Sequence, residues 1–173
     1  NMLYSAMLSA ISELYDLPEL SKKAEKIRET VYRQSFDGKF FRDHAVRENG
    51  ILKAEPDSTE VCQYYAFFFG IATPERNGEL FETLLHKFGP ERNRDTDYPE
   101  IAPANAFIGN YLRLEILMRA GFKEKALKNI VGFFGYMANK TGTLWENIDT
   151  SASCNHCFAS YVICWLEKLK NTI

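Results

Sequence analysis

Helical periodicity over nearly the whole chain predicts an all-α protein made of helix hairpins. Three observations carry the prediction. Apolar residues recur at helical spacing, and only the stretch near Lys39–Phe41 alternates as a strand would. Helices with one apolar face alternate with helices apolar nearly all round. The links between them alternate too, short then long.

Seven helices are predicted, over residues 1–15, 19–35, 58–71, 74–88, 103–120, 122–138 and 153–170. The second has the stripe Leu20, Ala24, Ile27, Val31 against a charged face of Lys22, Lys23, Glu25, Lys26 and Arg28. A short β-hairpin is expected around Phe36–Asp43 and Val46–Leu52, because Asp37-Gly38 suits a tight turn. Asp57 followed by Glu60 resembles a capping box for the third helix, VCQYYAFFFGI. Thr73 is the expected cap of the fourth, with Pro74 at its first position. Pro103 opens and Gly121 closes the fifth, ANAFIGNYLRLEILM. The sixth carries the stripe Leu127, Ile130, Val131, Phe134, Met137. The seventh, CFASYVICWL, is apolar on every side like the third, so both are expected in an inner layer. Hairpins begin near residues 1, 58, 103 and 152, a spacing that suits a toroid or solenoid of helix pairs better than a four-helix bundle. One domain, residues 1–173, is expected.

Aromatics make up 14% of the chain, which favours thick helix packing or a carbohydrate cleft. The net charge of −2 gives no electrostatic footprint for nucleic acid or an anionic membrane, and neither partner is expected. No apolar run reaches the roughly 20 residues that span a bilayer. The chain opens on Asn1, expected to be a processed end, a tag remnant or a cut within a longer protein, and this assigns no cellular location. Cys154 and Cys157 form a C-x-x-C at a helix start, a pattern that suits either a metal or a redox pair. A zinc site needs two further ligands, and His156 lies between the two cysteines where all three could hardly converge. No metal and no cofactor are therefore expected. Cys62 and Cys164 fall in apolar helices and read as small core residues.

The long links, about 36–57, 89–102 and 139–152, all run from an outer to an inner helix. In a ring of hairpins they share one end, and long loops on a rigid scaffold are where function concentrates. This groups Glu146, His156, Tyr98, Glu100, Asp57 and Glu60. Asp57 and Glu60 equally suit capping, and Asp95, Asp97 and Glu100 suit solvated turns or a weak calcium site. The stretch TLWENIDTSASCNHCFA carries the most chemistry. Trp145 offers an aromatic platform, Glu146 a carboxylate, and His156, in an expected first helical turn, an imidazole. Such a set suits sugar hydrolysis, which needs carboxylates for acid/base work and flat rings against a pyranose. The plainer alternative makes Trp145 a plug over a helix end and Glu146 a solvated loop residue.

The runs PANAFIGNYLRLEILMRAG (103–121) and GTLWENIDTSASCNHCFASYV (142–162) resemble the bacterial α-L-rhamnosidases of glycoside hydrolase family 78. NMLYSAMLSAISEL and STEVCQYYAFFFGIATPE look similar to the preceding helices of that catalytic domain. The resemblance implies an (α/α)6 barrel, of which this chain would form about half, the C-terminal portion. It implies removal of terminal α-L-rhamnose by an inverting mechanism, with Glu146 as general base and the general acid outside this chain. It implies substrate contacts from Trp145, His156 and Asn155, to which the shared loop end adds Tyr98 and Glu100. Cys157 departs from the family, where glycine is usual, and a side chain there is expected to crowd the helix start under His156.

The resemblance thus implies a carbohydrate substrate and, as partner, the remaining half of the barrel or a second copy of the chain. The fragment alone is expected to be inactive and prone to associate, because it begins and ends in helices with much apolar surface, MLYSAMLSAI and CFASYVICWL. The competing expectation is a non-catalytic helical-hairpin domain that binds a glycan or a protein partner. Capping repeats with polar outer faces would mark such a solenoid.

Overall fold

The computed structural model describes residues 1–170. It is mostly helical, 56%, with one small two-stranded sheet, so the all-α class holds. In chain order come α1 (Met2–Tyr15), α2 (Pro18–Ser35), β1 (Ala45–Glu48), β2 (Ile51–Ala54), α3 (Glu60–Phe68), α4 (Gly78–Lys87), α5 (Phe107–Arg119), α6 (Lys123–Ile130), α7 (Tyr136–Thr141) and α8 (Ile163–Leu169). A π-helical segment, Val131–Gly135, joins α6 to α7 without a break in helical backbone, and a 3-10 helix, Cys157–Val162, leads into α8. Counted as continuous rods, these are the seven expected helices. The backbone divides into two compact units. Unit 1 holds Asn1–Leu84 and Glu100–Ala102, and unit 2 holds Leu85–Pro99 and Pro103–Ile173.

In unit 1, α1 buries Ser5, Leu8 and Ser12 as it pairs with α2. The two serines satisfy their hydroxyls locally, Ser5 on the Met2 carbonyl and Ser12 on the Leu17 carbonyl. The apolar side chains Leu3, Met7 and Leu14 stand exposed instead, so the wet side of α1 is its greasy side. α2 follows its pattern, with Ala24 and Val31 buried. The β-hairpin departs from expectation. Ala45–Glu48 pairs with Ile51–Ala54, and the turn is Asn49-Gly50, where φ is 49° and 81°. Two positive φ values are the signature of the tight turn that matches strand twist. Phe36 pairs only with Phe41, around a separate turn in which the Asp37 carboxylate accepts the Lys39 and Phe40 N–H groups.

The capping residue of α3 is Thr59, not Asp57, and its hydroxyl accepts the Cys62 N–H at 3.1 Å. Glu60 lies buried at 1% exposure and accepts the Tyr64 hydroxyl at 2.9 Å, so it is a core group. Every residue of α3 is buried or half-buried, as an inner helix requires. Gln63 pins the neighbouring loop, accepting the Phe41 N–H and donating to the Phe41 carbonyl. Thr73 caps a single turn, its hydroxyl accepting the Arg76 N–H, and α4 starts only at Gly78. The link from α3 to α4 is therefore longer than the two residues expected.

In unit 2, α5 is almost wholly buried but opens at Phe107, not at Pro103, after Ala106 as cap. Gly121 follows its end at φ 83°, the left-handed position that expectation gave it. Arg113 is buried on α5 and donates to the Asn129 side chain at 2.7 Å and to the Leu85 carbonyl. A Cβ on Gly89, where φ is 101°, would fall 2.5 Å from the Arg113 Nε, so only glycine lets that guanidinium in. The sixth stripe holds at Ile130, Phe134 and Met137, which are buried, while Val131 is exposed and Phe133 is buried in its place. The last helix is not apolar-buried all round, since Phe158, Tyr161 and Ile163 are exposed.

Candidate functional site

The chain between α7 and the 3-10 helix folds back on itself. The Glu146 N–H donates to the Ser153 carbonyl at 2.9 Å, and the His156 N–H donates to the Leu144 carbonyl at 2.8 Å. Gly142, at φ 73°, turns the chain out of α7. The Thr143 hydroxyl bonds the Cys154 carbonyl at 2.5 Å. On the other side the loop pairs with the start of α5. The Phe107 N–H reaches the Glu146 carbonyl at 2.9 Å, the Ile148 N–H reaches the Asn105 carbonyl at 2.7 Å, and Ala106 bridges Asn147. Both backbone polar groups of Glu146 are thus held from opposite sides.

This pairing brings together two residues ten apart in sequence. The His156 Nδ1 lies 3.9 Å from the Glu146 carboxylate. The Glu146 side chain is 44% exposed, and among the described residues His156 is its one charged or hydrogen-bonding neighbour. His156 precedes the 3-10 helix in extended backbone and is not in a helical turn. Its ring packs on Phe107 at 5.0 Å and on Phe158 at 5.7 Å. A carboxylate with solvent access and an imidazole nearby can accept a proton from a water or a sugar hydroxyl.

Trp145 does not offer a platform. It is 1% exposed, its indole N–H donates to the Thr141 hydroxyl at 2.7 Å, and its backbone N–H points at the Met137 sulfur. The ring meets Tyr136 edge-on at 5.9 Å. The stacking contact expected of Trp145 is corrected to a structural one: the side chain plugs the end of α7 and fixes the residue that follows it. Asn155 is exposed beside His156, with its N–H on the Ser153 hydroxyl. Cys157 is exposed and begins the 3-10 helix, so it does not crowd the backbone under His156. Tyr98 is half-buried at φ 54°, its ring edge-on to Phe88 at 6.0 Å and its carbonyl bonded by Arg92. Glu100 belongs to the other unit and is exposed. Asp57 and Glu60 lie in that unit too, where Asp57 accepts the Asp43 N–H through its carbonyl.

Sequence reasoning missed one feature of unit 1, a cavity of about 440 Å³ whose walls include Leu3, Gln34, Asp43, His44, Cys62 and Tyr65. The adjacent Asp43-His44 pair was the only signal for it. Two of its reactive groups, Asp43 and Cys62, are engaged. Asp43 accepts the Thr59 N–H and hydroxyl. Burial, helped by Asp43, pushes the Cys62 thiol up to about 12, which leaves it protonated and unreactive.

Among the described residues, no group of three or more His, Cys, Asp or Glu could hold a metal ion, and no helix is long and apolar enough to cross a membrane. The chain matches no protein-family model, no characterised protein and no solved structure.

Proposed function

We propose that this chain is part of a glycoside hydrolase, an α-L-rhamnosidase-like enzyme of the inverting type, with Glu146 as general base. The observation that carries the proposal is the loop pairing around Glu146, which holds its backbone on both sides and leaves its carboxylate open to solvent 3.9 Å from His156. A base must be rigidly placed yet reachable by water, and a merely solvated loop carboxylate needs neither property. The resemblance of the TLWE and NH stretches points the same way. In this reading His156 orients the carboxylate and contacts the sugar, Asn155 adds a polar contact, and the general acid comes from outside these 173 residues. The helix pairs then form part of an (α/α)6 barrel. The exposed stripe Leu3, Met7, Leu14 on α1 supports a further helix packing there, from the remaining barrel or from a second copy. The same stripe also suits the competing reading, a helical-hairpin domain that binds a protein or glycan.

Hydrolysis of an aryl α-L-rhamnoside by the intact enzyme decides between them. Glu146→Gln keeps the shape and removes the base, so kcat should fall about 10²–10⁴-fold with binding little changed. Wild-type kcat in the variant makes Glu146 a loop carboxylate and not the base, and absence of hydrolysis by the wild type returns the chain to the binding-domain reading.

A further inference from the structure

With Trp145 buried, the flat apolar surface that a sugar site needs must come from another residue. We infer that Phe158 is that surface, the ring against which the apolar face of a pyranose rests beside Glu146 and His156; the inference rests on the glycosidase reading above. Phe158 is 70% exposed, although Ala159 and Val162 of the same 3-10 helix are buried. Its ring lies 5.7 Å from the imidazole of His156, which itself stands 3.9 Å from the Glu146 carboxylate.

A single exposed phenylalanine is ordinary on a protein surface. Two facts set this one apart. The backbone beneath it is anchored, since the Tyr111 hydroxyl donates to the Phe158 carbonyl at 2.7 Å. Tyr111 in turn is packed on Phe107, Phe134 and Trp165. Burial holds the Tyr111 hydroxyl well above its ordinary pKa, so it keeps its proton and stays a donor. Secondly, the exposed ring does not stand alone. Residues three apart on a 3-10 helix eclipse one another, and Tyr161 is also exposed, so the two rings share a side. An exposed apolar ring beside an imidazole that itself stands next to a carboxylate matches a ligand that has one apolar face and a hydroxylated edge. A pyranose has that form. A charged or fully polar ligand would leave the Phe158 ring without use.

The test combines calorimetric binding of methyl α-L-rhamnoside with aryl rhamnoside turnover, both on the intact enzyme. Phe158→Ala should weaken binding roughly tenfold, the scale of losing one stacked ring, with kcat within about twofold of wild type. Phe158→Trp should restore the affinity, which a folding defect would not. Wild-type affinity in Phe158→Ala overturns the inference. The two hypotheses fail separately. Lost turnover in Glu146→Gln with unaltered binding in Phe158→Ala sinks only the platform. Retained turnover in Glu146→Gln with weakened binding in Phe158→Ala sinks only the base and leaves a sugar-binding site. Wild-type enzyme that fails to bind the glycoside at millimolar concentration overturns both.

Discussion

Asp43 and Glu146 are both acidic residues on long links between helices, and the protein uses them in opposite ways. Asp43 accepts the N–H and the hydroxyl of Thr59, the residue that caps α3, and so becomes part of the helix start. Asp37 and Glu60 nearby are engaged as well, one with Arg42 and the Phe40 turn, the other with Tyr64. Around Glu146 the burden falls on the backbone. Its N–H and C=O are held by Ser153 and Phe107, Trp145 is buried just before it, and its carboxylate is left over. An acid whose side chain is consumed by structure reports on folding. An acid whose backbone is fixed while its side chain is open has the arrangement that the proposed base requires.

Four variants press on this contrast. Trp145→Ala should have the largest effect, a loss of about 3–5 kcal/mol in denaturant unfolding, as for other buried aromatic truncations. A loss below about 1 kcal/mol would mean that the indole is not the plug described. Asp43→Ala should cost about 1 kcal/mol, the value of a helix cap and its support. Glu146→Gln, measured alongside it, should change stability by less than about 0.5 kcal/mol, because the carboxylate holds nothing together. Equal losses in the two variants would erase the distinction. The smallest effect concerns acid. Burial raises the Asp37 pKa, but the N–H groups of Phe40 and Lys39 and the charge of Arg42 outweigh it, so the folded value sits below the ordinary 3.8. A depressed carboxylate stabilises the fold above its unfolded pKa and loses that contribution as pH falls through the folded one. Asp37→Asn should therefore be less stable than wild type at pH 7, and the difference should shrink as pH falls below about 4, where Asp37 takes up its proton. An unchanged acid slope would show that Asp37 is not part of it.

How much of this was legible beforehand depended on how local the cause was. The seven rods follow from periodicity, and Gly121 marked its helix end because a left-handed residue there is a local requirement. Other local signals misled. Thr73-Pro74 does cap, but it caps one isolated turn, so α4 starts four residues later than the motif suggested. Asp37-Gly38 drew the hairpin away from Asn49-Gly50, which carries the same kind of signal more strongly. The burial of Trp145 had no local sign. It depends on Thr141 and Met137, one and two turns back on the preceding helix, and the sequence of the loop cannot state where that helix points. The nearness of Glu146 and His156 was suggested by their shared loop. Its cause, the pairing of Glu146 with Ser153 and of His156 with Leu144, was not.

The π segment at Val131–Gly135 carries a consequence for how this chain could have changed over time. A π turn holds one residue more than an α turn, so it behaves as an insertion absorbed without breaking the rod. Deleting one residue there would restore a regular α-helix and leave the residues after it on nearly the same face, because the bulge already absorbs the extra one. Deleting a second residue would rotate everything after it by about 100°, so that Met137 and Thr141, the two residues that seat Trp145, turn away and the loop bearing Glu146 loses its seat. Loss of the one extra residue in Val131–Gly135 is therefore open to this chain, while any further change of length there is not.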